Sequence, residues 1–252
     1  MTNVSVLILA KNEKHNMADC IKSCDFADEI VVIDDFSSDE TVKIAQDLGA
    51  KVVQHAMNGD WGAQQNFALE QAKHAWILFL DADERITPEL ASEIKEMVKK
   101  SEKSAYLIKR KNRFYFNKAT HGVLRSDFVC RLMPKEGVRV EGFVHPAIIT
   151  PYPNKKMKNF MLHYTYDNWH QYFNKFNNYT NLAAVKYKEQ GKKCYFFTDI
   201  ILRPFWAFIK VYFIQGGFLD GKLGWILSVN HYFYTMSKYV KLYYLNKSNG
   251  KL

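Results

Sequence analysis

The chain opens on Val4–Ala10, six apolar residues around Ser5, followed by the polar Lys11-Asn12-Glu13. A short β-branched run closed by polar residues predicts a buried strand and its turn. Next, Met17, Cys20, Ile21 and Cys24 fall at helical spacing within His15–Cys24. Glu29–Ile33 predicts a second strand, ending in Asp34-Asp35. Ser37 and Glu40 have the spacing of a capping box, which predicts a helix from there through Leu48, closed by Gly49. Lys51–His55 predicts a third strand, Trp61–Ala72 a helix, and Trp76–Leu80 a fourth strand running into Asp81-Ala82-Asp83. Pro88, at a first helical turn, starts another helix that reaches about Lys100.

Strands and helices alternating at this pace predict an α/β fold with a doubly wound, mostly parallel sheet and right-handed crossovers. Ligands in such sheets lie beyond the carboxyl ends of the strands. Here those ends are Asn12/Glu13, Asp34/Asp35 and Asp81/Asp83, all acidic. No Gly-x-Gly-x-x-Gly follows the first strand and no Gly-x-x-x-x-Gly-Lys is present, which argues against a dinucleotide oxidoreductase or a P-loop NTPase. Two carboxylates two residues apart at a strand end repel unless a cation joins them. Mg²⁺ or Mn²⁺ takes such oxygen ligands and completes its shell with phosphate oxygens, so Asp81 and Asp83 are a candidate metal-diphosphate site. Asp34 is placed to accept from an imide N–H such as that of uracil, while Asp35 suits a turn or cap.

The segments VSVLILAKNEKHNMADCIKSC, DEIVVIDDFSSDETVKIAQDLGAKVV and GAQQNFALEQAKHAWILFLDADERITPEL resemble the nucleotide-binding half of family 2 glycosyltransferases. The similarity continues through RLMPKEGVRVEGFVHP, LHYTYDNWHQYFNKFNNYTNLAA and GFLDGKLGWILSVNHYFY, and so covers nearly the whole chain. Within the family the chain is most similar to short bacterial enzymes that extend lipopolysaccharide cores and related surface glycans. The resemblance implies a GT-A fold and inverting transfer of a sugar from a nucleotide donor, usually a UDP-sugar, to a glycan or lipid-linked glycan. It also implies that Ala10, Asn12, Glu13 and Asp34 line a nucleoside pocket, with Gln65 and Asn66 in the segment facing the donor. Asp81 and Asp83 would hold the diphosphate through Mn²⁺ or Mg²⁺, Asp83 more directly, and His163 resembles the histidine such enzymes bring to the metal or diphosphate. Arg131 is a candidate cation for the leaving diphosphate, or a partner of Glu136 or Glu141 on a surface strand.

One position departs from the pattern. Inverting transfer needs a base for the acceptor hydroxyl, and relatives carry an acid directly after Val-His; here that residue is Pro146, in Glu141-Gly142-Phe143-Val144-His145-Pro146. Glu141 is the first substitute, with Asp127 and His145 behind it. His145 serves equally as a hydrogen-bonded residue that orients its loop, and a chain that binds donor but transfers poorly fits the same departure.

Charge divides the chain. Of its 35 Lys/Arg and 26 Asp/Glu, residues 150–252 hold 15 of the former and only 4 of the latter, with 26 of the aromatics. The resemblance implies a glycosyltransferase domain over residues 1–165, with 1–100 binding donor and 101–165 completing the acceptor side, and with this charge division we expect residues 166–252 to form a basic, aromatic-rich helical appendage. That appendage suits an anionic membrane surface; covering the sheet or forming a homo-oligomer are its other uses. Arg203, Pro204, Lys210 and Gln215 interrupt the most apolar stretch, which argues against a transmembrane span. The start of the chain lacks a signal-peptide pattern, so the expected place is the cytoplasm, including the inner face of its membrane. Nucleic acid is not expected as a partner, because it leaves the acidic loops without a role, and a sugar-1-phosphate nucleotidyltransferase would want a glycine-rich basic loop where Lys11-Asn12-Glu13-Lys14 stands. Cys20 and Cys24 lie one turn apart with no second ligand pair nearby, which argues against zinc.

Overall fold

The computed structural model describes residues 3–248 apart from 101, 115–116, 119, 144–145 and 167. The described chain forms two compact units, one of residues 1–111 and 127–163, the other of residues 112–126 and 164–252.

The first unit is built on a mixed sheet of eight strands in the order β3-β2-β1-β4-β7-β6-β10-β5. Its parallel half is β1 (Val4–Ala10), β2 (Glu29–Asp34), β3 (Lys51–Gln54) and β4 (Trp76–Asp81). These alternate with α1 (Lys14–Lys22), α2 (Thr41–Asp47) and α3 (Trp61–Gln71) as the periodicity predicts. Beyond β4 the sheet turns antiparallel: β5 (Glu84–Ile86) pairs with β10 (Asn154–Tyr166), and β7 (Asp127–Pro134) pairs with β4 and with β6 (Ala105–Phe114). α4 (Pro88–Met97) follows β5, with the Thr87 hydroxyl accepting from Leu90 N–H at 3.3 Å. β8 (Arg139–Glu141) and β9 (Ala147–Ile149) form a separate hairpin.

Strand alternation separates two cores. Val4, Val6, Ile8, Leu78 and Leu80 pack on one face with Met17, Cys20, Leu90 and Ile94. Leu7, Val31, Ile33, Ile77 and Phe79 pack on the other with Ala68 and Leu69 of α3. Burial on both faces is why β1, β2 and β4 read as continuous apolar runs, while β3, at the sheet edge, is short and partly exposed.

The expected capping box is not formed. α2 begins at Thr41, and the Ser37 hydroxyl and N–H both donate to Asp34 instead. The N-cap position falls to Glu40, whose side chain makes no capping bond, and Asp39 accepts from Thr41 N–H at 3.0 Å in a local turn before the helix. A short side chain three residues past a buried carboxylate satisfies that carboxylate first, because an unpaired buried charge costs more than an uncapped helix end.

In the second unit α5 (Trp169–Glu189) and α7 (Gly221–Lys247) pack on each other, with α6 (Arg203–Ile209) against α7. π-helical turns flank α6 at Phe196–Leu202 and Lys210–Ile214, and a 3₁₀ turn, Gly217–Asp220, leads into α7. The residue-224 backbone lies so close to this turn that a Cβ would sit 1.8 Å from the Gly217 carbonyl oxygen. Gly224→Ala is therefore expected to destabilise the helical unit by about 1–3 kcal/mol, read as an earlier loss of helical signal in urea.

Candidate active site

The carboxyl ends of β1 and β2 are knitted by polar side chains. Asn12 adopts a left-handed backbone (φ 56°), which lets its side-chain oxygen accept from Ser38 N–H at 2.8 Å while its own N–H donates to the Ser37 hydroxyl at 2.8 Å. Asn is one of the few residues that reach this conformation cheaply. Glu13 N–H donates to the Thr41 hydroxyl at 2.7 Å, and its carboxylate accepts from Asn16 at 2.9 Å. Asp34, fully buried and paired in register with Ala10, accepts from Ser37 twice and from Gln54 at 3.2 Å. Three of its roughly four lone-pair positions are thus taken. The Lys11 ammonium, 2.7 Å away, holds the Asp35 carboxyl below the usual carboxylate range.

Strand pairing brings a second cluster to the end of β4. Arg131 of β7 is 7% exposed and reaches two carboxylates through Nη2, Asp81 and, at 2.8 Å, Glu84. Glu84 is fully buried and also accepts from Asp81 N–H at 3.0 Å. Arg110 of β6 lies 3.5 Å from Glu84 and grips Asp127, its register partner on β7, with Nε at 3.0 Å and Nη2 at 2.6 Å. A chain Asp81–Arg131–Glu84–Arg110–Asp127 results. Opposite Glu84 in register stands His163 of β10, whose Nε2 is 3.3 Å from Asp83 Oδ2.

Burial raises the Glu84 carboxyl above its ordinary range, against the pull of Arg131. Burial alone would weaken Arg131 as a cation, but Asp81 and Glu84 overcome it and fix the positive charge. Burial likewise works to raise Asp127, and the Arg110 hydrogen bond and charge win, leaving it a weaker base than a free aspartate. One donor of the cluster, Arg131 Nε, is buried with no hydrogen-bond partner among the described residues.

The other expected site residues are placed as follows. Gln65 is buried in α3. Asn66 uses its side chain to hold β8, donating to Val140 C=O and accepting from Val140 N–H, both at 2.8 Å. Glu141, at the end of β8, is exposed and paired with Arg139 at 2.8 Å. Arg131 meets neither alternative partner: Glu136 pairs with Lys103 and Glu141 with Arg139. His145 lies outside the described residues. Cys20 on α1 and Cys24 just beyond it are both buried, and burial pushes the Cys24 thiol up to about 12. Reasoning from sequence missed Glu84 and Arg110. Glu84 directly follows the flagged Asp-Ala-Asp, but Arg110 sits between Lys109 and Lys111 and nothing local marks it out.

Among the described residues no group of three or more His, Cys, Asp or Glu is arranged to hold a metal ion. The donor set still fits one. Asp83 and His163 stand at the separation of neighbouring ligands in one coordination shell. Asp81, Asp83, Glu84 and Asp127 outnumber Arg110 and Arg131 by two charges, counting Glu84 as the carboxylate its guanidinium partners require. A hard divalent ion held by one or two side chains, with phosphate oxygens completing its shell, suits this arrangement.

The sequence model of Glycosyl transferase family 2 matches residues 5–165. The chain belongs to this family. The enzyme is 31% identical to an uncharacterised glycosyltransferase of Rickettsia conorii, over 98% of this chain and 91% of that protein. It is 27% identical to the lipopolysaccharide core biosynthesis glycosyltransferase LpsC of Rhizobium meliloti, over 95% of this chain and 92% of that one. Among solved structures, residues 1–349 of Staphylococcus aureus TarS in complex with UDP-GlcNAc superpose with a TM-score of 0.50 at 16% identity, covering 98% of this chain and 92% of that one. The likeness is one of fold, and the doubly wound sheet with its C-terminal helices is the GT-A architecture expected from the sequence.

Removing the charge of Glu84 leaves a buried guanidinium short of a partner. Glu84→Gln is expected to cost about 3–5 kcal/mol of stability, measured by urea unfolding. Glu141→Gln, at an exposed pair, is expected to change stability by less than about 0.5 kcal/mol.

Proposed function

We propose that the enzyme transfers a sugar, with inversion, from a UDP-sugar to a glycan or lipid-linked glycan acceptor of a bacterial surface polysaccharide. The observation that carries this reading is the meeting of Asp83 and His163 beside the Asp81–Arg131–Glu84 chain at the carboxyl end of β4. Asp83 and His163 would hold Mn²⁺ or Mg²⁺. Bound there, the ion would neutralise charge that gathers on the leaving diphosphate. Arg131, whose positive charge Asp81 and Glu84 fix, would support the same charge. The carboxyl ends of β1 and β2, with Ala10, Asn12, Glu13 and Asp34, are the proposed nucleoside side, and Gln65 lies on the α3 segment assigned to the donor.

In the reaction the acceptor oxygen bonds to the anomeric carbon as the bond to the diphosphate breaks, and the acceptor proton passes to a base. Glu141 is the proposed base. Its carboxylate is exposed and held by a single pair, whereas Asp127 is gripped by Arg110 on both oxygens and is correspondingly less basic. The named role of LpsC in lipopolysaccharide core synthesis supports a cell-envelope acceptor.

Thermal unfolding with a panel of nucleotide sugars, in Mn²⁺ or in EDTA, tests the donor side. One UDP-sugar at about a hundredfold excess over its Kd is expected to raise the melting temperature by about 5–10 °C. The shift is expected to vanish with EDTA and in Asp83→Ala. No shift with any nucleotide sugar would overturn the reading. Glu141→Gln is expected to keep the shift and lose about 100-fold or more in kcat; full activity in that variant would remove Glu141 as the base.

A further inference from the structure

Among the described residues, large apolar side chains are exposed very unevenly. The first unit has five: Phe36, Leu48, Trp61, Phe128 and Phe143. Residues 195–226 of the second unit alone have thirteen. They follow a helical order. Along the π- and α-helical run 196–214, Phe197, Ile201 and Phe205 recur every four residues beside Leu202 and Trp206, and Ile200, Pro204 and Val211 take the buried side. The left-handed Gly216 breaks the run. Scattered exposed apolar residues need no explanation, but a continuous face of them marks an interaction surface.

The charges around this face narrow the choice of partner. Arg203, Lys210 and Lys222 lie within this stretch, and Lys192 and Lys193 directly precede it. Described acids in the second unit are few. Asp199 is buried and paired with Arg203, Asp220 is bonded to His121 N–H at 3.0 Å, and Glu189 is the one left exposed. A second copy of this chain docking through the same face would set like charges against each other, because a two-fold interface pairs a patch with itself. A bilayer with anionic headgroups instead accepts aromatic rings at headgroup depth and lysines at its surface. No described helix is long and apolar enough to cross a membrane, so these side chains can enter only as an in-plane face.

We propose that residues 195–226 form a docking face for a bilayer containing anionic phospholipid, with Phe205 and Trp206 inserted among the lipids and Arg203 and Lys210 at the headgroups. The proposal stands on the chemistry of this surface, independently of the donor site.

Flotation of the full chain with vesicles of phosphatidylcholine alone, or with about 30% phosphatidylglycerol, tests it. The protein is expected to float with the anionic vesicles and to be released by raised salt. The doubly substituted Phe205→Ser, Trp206→Ser protein is expected to bind at least about tenfold more weakly, and Lys210→Glu at least about fivefold more weakly. All three side chains are exposed, so unchanged thermal unfolding and unchanged donor-induced stabilisation are expected in both variants. Brominated lipids are expected to quench tryptophan fluorescence of the unsubstituted protein, which reports insertion without any substitution. Failure to float with anionic vesicles, or equal flotation by the doubly substituted protein, would overturn the proposal. So would a concentration-dependent dimer, or salt-sensitive binding of a single-stranded oligonucleotide, lost in that protein without lipid binding.

Discussion

Glu84 is a carboxylate with no access to water, and the strands around it are arranged to make that tolerable. A buried charge needs partners of opposite sign and hydrogen bonds for its remaining lone pairs. Glu84 finds a guanidinium from β7, a second at longer range from β6, and the N–H of Asp81. Each link has a consequence for the site. Arg131, held by Glu84, is thereby held beside Asp81. Arg110, drawn to Glu84, locks Asp127. The short strand that carries Glu84 pairs with β10 and sets His163 next to Asp83. The antiparallel half of the sheet is, in this sense, the scaffold of the charged cluster at the end of the parallel half.

What sequence could reveal follows from where each signal comes from. β1, β2 and β4 were legible almost to the residue because both of their faces are buried, which imposes unbroken apolar runs on Val4–Ala10, Glu29–Asp34 and Trp76–Asp81. The acidic residues at their ends were legible because topology alone places strand ends at a binding crevice. β6 was not: Ala105–Phe114 carries Lys109, Arg110, Lys111 and Arg113, charges that break the apolar run, and its place in the sheet is set by β7 and β10 on either side rather than by its own pattern. The capping box failed for a related reason. Ser37 has the right neighbours for a cap, but the stronger claim of buried Asp34 is visible only in three dimensions. Motif spacing singled out Asp81 and Asp83 as candidates and their place at the end of β4 was legible, while the cross-strand ion pairs that tie Asp81 into its surroundings have no local trace.

The two units meet the hydrophobic requirement differently. In the first, the sheet is covered on both faces and few large apolar side chains remain exposed. In the second, small cores around Phe114, Tyr172 and Leu227, and around Ile200, Tyr239 and Leu242, are filled while a long apolar face stays outside them. A composition rich in aromatics and poor in acids is thus only partly consumed by folding.

Helix α3 does more than cover the sheet. At its start Trp61 N–H donates to the Phe143 carbonyl at 3.0 Å, and Gly62 lies so close to the Gly142 carbonyl that a Cβ would come within 2.5 Å of it. One turn on, Asn66 clasps Val140 from both sides. The hairpin that bears Glu141 is therefore moored to a helix, while the charged cluster at Asp81 is moored to the central sheet. Substitutions along α3 can shift that hairpin and leave the sheet in place. The hairpin and the charged cluster thus answer to different parts of the scaffold, and the start of α3 is the lever through which the first can move without the second.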